Sequence, residues 1–183
     1  EFIYYPNFFS KEKADLFLET LYHETAWQQD DITIFGKKIA QPRLTALYGN
    51  EGKSYGYSNI IMQPHLLNTS LTFIKDEIEN AINEHFTTVL LNLYRNEKDS
   101  NGWHADNEKE LGRDPIIASV SFGEARMFQI KHNTKKEIKQ SLLLEHGSLL
   151  VMKNGAQIHY KHQIPKATQP KKPRINLTFR KVL

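Results

Sequence analysis

The sequence predicts an α+β fold, with two helices bracing a β-sandwich or jelly roll. Three observations carry this. Two helical periodicities occupy the first part of the chain, and short strand-like segments separated by turn signals fill the rest. Arg174–Arg180 alternates polar and apolar side chains along its whole length, as a strand between two different environments must. No repeat, low-complexity linker or change of pattern divides the 183 residues, which predicts one domain spanning 1–183.

Taken in order, Phe2–Pro6 is aromatic and β-branched and reads as a short strand. Ser10 is placed to cap a helix from Lys11 to His23 whose apolar face is Ala14, Phe17, Leu18 and Leu21. Asp30–Lys38 reads as a hairpin that turns at Gly36 and carries Phe35 at its tip. From Gln41 to Ser58, tyrosines are interleaved with Gly, Ser and Asn, a poor core but an adaptable contact surface. Such rings stack on nucleobases at about 1–3 kcal/mol each. On pattern alone, rings that merely cover a domain edge are an equal alternative.

Pro64 is expected to open a helix from His65 to Glu84, buried through Leu67, Leu71, Ile74, Ile78, Ala81 and Ile82. Asp76, Glu77, Glu79 and Glu84 are expected to face water. Strands are predicted near Thr88–Tyr94, Ile116–Phe122, Arg126–Ile130, Lys139–Leu144, Ser148–Met152, Ile158–His162 and Arg174–Arg180.

Composition narrows the chemistry. There is no cysteine, which excludes disulfides, thiolate metal sites and a cysteine nucleophile, and fits a reducing compartment inside the cell. No apolar run approaches the length of a membrane span, and no signal peptide is expected. Net charge is only +3, but no acidic residue follows Glu145, and eight Lys and Arg residues do. A one-signed basic surface attracts phosphates. A solvated charged face explains the charge equally well.

The stretch Trp103-His104-Ala105-Asp106-Asn107-Glu108 supplies the chemistry. On an extended strand His104 and Asp106 point the same way. An imidazole and a carboxylate side by side are two-thirds of a 2-His-1-carboxylate site, which suits non-heme Fe(II) and leaves open positions. His162 is the candidate for the missing ligand. Alone, a His-x-Asp pair arises often by chance. In the last strand, Arg174, Asn176, Thr178 and Arg180 share one face, and Ile175, Leu177 and Phe179 the other. Guanidinium groups deep in a β-fold need anions, and a small dicarboxylate would answer that need. Asn92 and Tyr94, spaced by two, each offer a hydrogen bond from one face.

Together these residues are recognisable. The chain resembles the AlkB family of Fe(II)/2-oxoglutarate dioxygenases, closest to the animal-type DNA and RNA alkylation-repair demethylases. The resemblance runs from about residue 30 to the end. It rests on Gln41-Pro42-Arg43, Tyr48-Gly49, Asn92-Leu93-Tyr94, His104-Ala105-Asp106-Asn107-Glu108, Pro115–Gly123, His146-Gly147-Ser148, His162-Gln163-Ile164-Pro165 and Arg174–Arg180, in the family's order and spacing.

The resemblance implies a double-stranded β-helix core over about 87–183 and a nucleotide-recognition lid over about 30–62. It implies Fe(II) on His104, Asp106 and His162, and 2-oxoglutarate as cosubstrate with O2. Arg174 would hold the distal carboxylate with Tyr94 assisting, and Asn92, Asn176, Thr178 and Arg180 would complete the pocket. Tyr57 would stack on a flipped base with Tyr55 beside it, Asn107 and Glu108 would read its exocyclic amine, and Phe35 would wedge into a duplex. Close relatives carry Asp where this chain has Asn107. The implied reaction is oxidative demethylation of 1-methyladenine and 3-methylcytosine in DNA, with RNA as a further substrate class. The products are formaldehyde, succinate and CO2. A monomer is expected, in the cytoplasm of a bacterium or the nucleus of a eukaryote. Two alternatives stand beside this: a nucleic-acid-binding jelly roll without activity, and an AlkB-like hydroxylase acting on tRNA or protein.

Overall fold

The protein is described by a computed structural model covering residues 1–50, 55–57 and 60–183, with backbone alone for 55–57 and 60–62. The first half contains β1 (Phe2–Tyr5), α1 (Lys11–Glu24), β2 (Asp31–Ile34), β3 (Lys37–Ala40) and β4 (Leu44–Gly49). It continues through β5 (Tyr55–Tyr57), β6 (Ile60–Met62), β7 (His65–Leu66) and α2 (Thr69–Ile82). The second half contains β8 (Thr88–Tyr94), β9 (Asn101–His104), β10 (Ile117–Gly123), β11 (Arg126–His132) and β12 (Lys139–Leu144). It ends with β13 (Ser148–Met152), α3 (Ala156–His159), β14 (Tyr160–Ile164) and β15 (Arg174–Arg180).

Two sheets form the jelly roll. The larger runs β1-β13-β10-β15-β8-β4-β7 and the smaller β12-β11-β14-β9. β15 pairs antiparallel with β10 on one side and β8 on the other, so it lies deep in the larger sheet. Its alternation then sorts two environments. Ile175, Leu177 and Phe179 join Val89, Leu91, Leu93, Val120 and Phe122 in a core shared with Phe17 and Leu21 of α1 and Leu71, Ile74 and Ile78 of α2. Arg174, Asn176, Thr178 and Arg180 line a cavity on the opposite face, toward the smaller sheet. A second core of Leu90, Tyr94, Phe128, Ile130, Leu144 and Ile164 fills the space between the sheets around that cavity.

Ser10 caps α1 as expected, its side chain accepting from the Lys13 N–H. The hairpin is also as expected, with Phe35 (φ 47°) and Gly36 (φ 76°) both left-handed at its tip, the geometry of a tight two-residue turn. Gly123, at the end of β10, has φ 92°, and a Cβ there would lie 2.4 Å from the Pro173 carbonyl oxygen. Only glycine allows the chain to turn so close to the start of β15.

Four expectations about the elements need correction. Ala81 is exposed and not part of the buried stripe of α2. The second helix starts at Thr69, because Asn68 accepts the Leu71 N–H and caps it, while His65–Leu66 instead pairs in parallel with β4. The segment predicted as a strand over Ile158–His162 divides. Ala156–His159 is one helical turn, and β14 follows at Tyr160–Ile164. Glu79 does not face water. Its carboxylate accepts the Phe86 N–H at 2.7 Å and lies 2.9 Å from Lys75 Nζ, tying α2 to the start of β8.

Glu79 has a pH consequence. Burial pushes its carboxyl up, but the Phe86 N–H and Lys75 outweigh this and hold it below the usual value. A carboxyl depressed on folding contributes stability above its unfolded pKa and loses it as pH falls through the folded one. Glu79→Ala should therefore cost about 1.5–3 kcal/mol at pH 7, the worth of hydrogen bonds to a charged group. Urea melts should show the gap to the parent protein narrowing below the ordinary carboxylate pKa.

Candidate active site

His104, Asp106 and His162 meet at one end of the inter-sheet cavity. β9 and β14 are neighbours, and their register sets His162 directly opposite His104, with ring centroids 4.3 Å apart. Asp106 arrives differently from the expectation. β9 ends at His104, so strand alternation does not aim the carboxylate. Asp106 lies in the following segment, where its backbone N–H donates to Gln157 Oε1 at 2.7 Å. One ligand atom from each of the three residues lies within 4.8 Å of the others. Among the described residues, they are the one such His/Asp/Glu group able to hold a metal ion.

The protonation states suit a cation. His104 Nδ1 lies 2.6 Å from the Gly102 carbonyl oxygen, which can only accept. The proton therefore sits on Nδ1 and the lone pair is left on Nε2, the usual arrangement of a metal-binding histidine. Burial holds His104 below its ordinary pKa. His162 is pushed down to about 3 by burial, and the neighbouring His104 adds to the shift. Both rings are then neutral at physiological pH. Burial acts to raise Asp106, but Arg180 and then the two imidazoles hold it well below the usual carboxylate range. Arg180 Nη2 donates to Asp106 Oδ1 at 2.7 Å, while Oδ2 faces His162 Nε2 at 3.8 Å.

The other end of the cavity is cationic. Arg174 is 1 % exposed, donates from Nη2 to Ser121 Oγ at 2.9 Å, and lies over the Tyr94 ring with Cζ 5.1 Å from its centroid. Its Nε and Nη1 are buried with no hydrogen-bond partner among the described residues. An unsatisfied guanidinium is costly inside a protein unless an anion completes it. Around it, Asn176 donates to Ser119 Oγ and the Val120 carbonyl, and Thr178 donates to Asn176 Oδ1. Asn92 Oδ1 accepts Arg43 Nε at 2.9 Å, which turns its amide N–H groups away from Arg43 and leaves donors for the cavity. One dicarboxylate in this cavity would give Arg174 the anion it lacks and extend toward the three-residue cluster.

The structure thus brings together His104, Asp106, His162, Arg174, Asn92, Tyr94, Asn176, Thr178 and Arg180 around one cavity. Phe35 is fully exposed at its hairpin tip. Asn107 is exposed and Glu108 half-buried at the start of a single 3₁₀ turn, Lys109–Leu111. β5 and β6 pair as strands, but the side chains of Tyr55 and Tyr57 lie outside the described residues. Gln157, which positions Asp106, and Arg43, which orients Asn92, had no role from sequence. A single buried amide or guanidinium leaves no periodic signal.

A jelly roll with two histidines and a carboxylate beside a buried arginine defines a class of metal-dependent oxygenase. The profile of the 2OG-Fe(II) oxygenase superfamily matches residues 1–180. The alpha-ketoglutarate-dependent dioxygenase alkB homolog 3 of Bos taurus is 41% identical, over 97% of this chain and 64% of the relative. The human DNA oxidative demethylase ALKBH2 is 34% identical, over 98% of this chain and 72% of the relative. In three dimensions the structure of OsALKBH1 superposes with a TM-score of 0.70 at 14% identity, covering 98% of this chain and 97% of that one. The chain belongs to the 2OG-Fe(II) oxygenase superfamily, in its AlkB-type branch. It spans 64–65% of the length of its bovine and human alkB homolog 3 relatives. Among the described residues no helix is long and apolar enough to cross a membrane.

Proposed function

We propose that this protein is an Fe(II)- and 2-oxoglutarate-dependent dioxygenase that removes N-methyl groups from nucleobases. The observation that carries the reading is the meeting, in one cavity, of three neutral or anionic metal donors with the incompletely bonded Arg174 guanidinium. Both implied groups fit these residues. His104, Asp106 and His162 would hold Fe(II), and Arg174, Asn92 and Tyr94 would hold 2-oxoglutarate. When bound, that pair with O2 supplies oxidation of a C–H bond coupled to decarboxylation of the cosubstrate to succinate and CO2. The protein's own part is positioning. Arg180 orients Asp106, Gly102 fixes the His104 tautomer, and the apolar ring of Phe128, Leu144, Met152 and Ile164 keeps the cavity dry.

The name of the DNA oxidative demethylase relative supports the substrate class, and so does the outer face of the smaller sheet. There Lys139, Lys131 and Lys161 stand directly opposite one another across three strands. Lys131 Nζ lies 4.2 Å over the Trp103 ring. Like charges so aligned repel, and a phosphate backbone would relieve them. Glu108, two residues from Asp106, would favour a cationic methylated base over its neutral parent.

The test is formaldehyde and succinate release on matched single- and double-stranded oligonucleotides carrying 1-methyladenine or 3-methylcytosine. Release that requires both Fe(II) and the methylated base is expected. Succinate without any methylated-base dependence would reject the substrate class. Phe35, with no packing to lose, is expected to act on the duplex alone. Phe35→Ala should lower duplex turnover by about tenfold, the worth of one stacking contact, and spare the single strand. Equal effects on both would remove the wedge role.

A further inference from the structure

We propose that Arg126 is a positioning residue for the cosubstrate, acting through Tyr94. This rests on the dioxygenase reading above. Arg126 opens β11 and is 2 % exposed, among the largest fully buried side chains of the protein. A buried guanidinium normally has a carboxylate partner, and Arg126 forms no ion pair among the described residues. The nearby Asp99 carboxylate is occupied by the backbone N–H and side chain of Arg95.

Arg126 spends its hydrogen bonds on three backbone carbonyls instead. Nη1 donates to Asn96 O at 3.2 Å, and Nη2 donates to Asp99 O and Pro165 O, each at 2.8 Å. Asn96 and Asp99 belong to the loop that leaves Tyr94 on β8 and leads to His104 on β9. Pro165 directly follows β14, the strand of His162. One side chain therefore bolts the connection between the cosubstrate strand and one metal strand to the end of the other. Its Cζ also lies 5.5 Å over the Tyr94 ring, the ring that Arg174 approaches at 5.1 Å.

Two guanidinium groups share one aromatic ring, and only Arg174 lines the cavity. Like charges repel, and the Arg126 charge adds to the burial that lowers the Arg174 pKa. An apolar residue at 126 would remove that repulsion but leave the Asn96, Asp99 and Pro165 carbonyls without their donor. The arrangement accounts for an arginine if its task is to hold Tyr94 at a fixed height against Arg174, so that both meet one carboxylate of the cosubstrate.

The experiment measures 2-oxoglutarate binding calorimetrically on the full chain with Mn(II) in place of Fe(II), beside melting temperature and steady-state kinetics. Arg126→Met is expected to weaken 2-oxoglutarate binding by about tenfold or more, as loss of a supporting shell does. KM for 2-oxoglutarate should rise while KM for the methylated oligonucleotide stays. Arg126→Lys, which keeps a cation near the ring, should recover part of the loss. In a Tyr94→Ala background, Arg126→Lys should add no further weakening. A lower melting temperature with parental 2-oxoglutarate affinity would make Arg126 a fold brace only and overturn the proposal. So would a full additional loss in the Tyr94→Ala background. If Arg126→Met does not fold, Arg126→Lys decides: weaker binding at an unchanged melting temperature supports the proposal, and parental binding overturns it. Parent protein that binds no 2-oxoglutarate would instead reject the dioxygenase reading itself.

Discussion

Asp106→Ala is expected to abolish Fe(II)-dependent succinate formation and, in the metal-free protein, to cost about 3–5 kcal/mol of stability. The two effects have separate causes. The first is loss of the anionic member of the donor cluster. The second is loss of the 2.7 Å partner of Arg180, whose guanidinium stays 3 % exposed in the wall of the cavity. Removing one member of a buried ion pair is far more costly than never having built it. Asp106→Asn keeps a carbonyl oxygen for Arg180, so turnover should vanish there too while much of the stability returns. His162→Ala separates the causes from the other side. It removes a donor, stacked on Phe128 at 5.1 Å, without touching the Arg180 contact. Urea unfolding of the metal-free proteins beside succinate assays checks all three. Asp106→Ala protein as stable as the parent would mean that the Arg180 pair contributes nothing. Substantial turnover in any of the three would remove the metal-ligand assignment.

The features legible in the sequence were those written as a period. β15 announced its two faces because every second residue changes chemistry and each face meets a different layer, helices outside and cavity inside. α1 announced its start through Ser10. His104 and His162 were legible through the company of neighbouring motifs, and the β9–β14 register supplies the physical reason that they meet. What stayed hidden was decided by contacts between distant segments. Alternation put Asp106 on the His104 face, yet the strand had already ended. The carboxylate reaches the site because Gln157, from a helical turn 51 residues later, holds its backbone. Asn68 outcompeted Pro64 as a helix start because its side chain accepts an N–H that proline cannot satisfy. Arg126 bonds to backbone carbonyls, groups that every stretch of chain carries, so no spacing marks it, and the Arg43 motif gave no hint of its bond to Asn92.

Arg174→Met is expected to do the opposite of Asp106→Ala to the fold while harming function as deeply. In the cosubstrate-free protein Arg174 has one hydrogen bond to Ser121, the Tyr94 ring, and no partner for Nε or Nη1 among the described residues. Burial pushes its guanidinium pKa down to about 10, a sign that the charged form is poorly accommodated. Methionine fills similar volume without a charge, and replacing a poorly compensated buried charge by an apolar side chain is neutral or stabilising by about 1–4 kcal/mol. The free protein should therefore melt at the same temperature or higher. Cosubstrate affinity should fall by about a hundredfold, since a bidentate charged contact worth several kcal/mol is gone. Linkage makes this visible in one titration. 2-Oxoglutarate stabilises whatever binds it by RT ln(1 + [L]/Kd), so the variant melting curve should begin to climb only at about a hundredfold higher cosubstrate than the parent curve. The two curves then cross, the variant more stable at zero cosubstrate and the parent at saturation. A variant that melts lower at zero cosubstrate would show that Arg174 braces the fold, and one that climbs at the same cosubstrate concentration as the parent would show that the anion is held elsewhere. A crossing would mark Arg174 as a group kept at a cost to stability for the ligand that completes it.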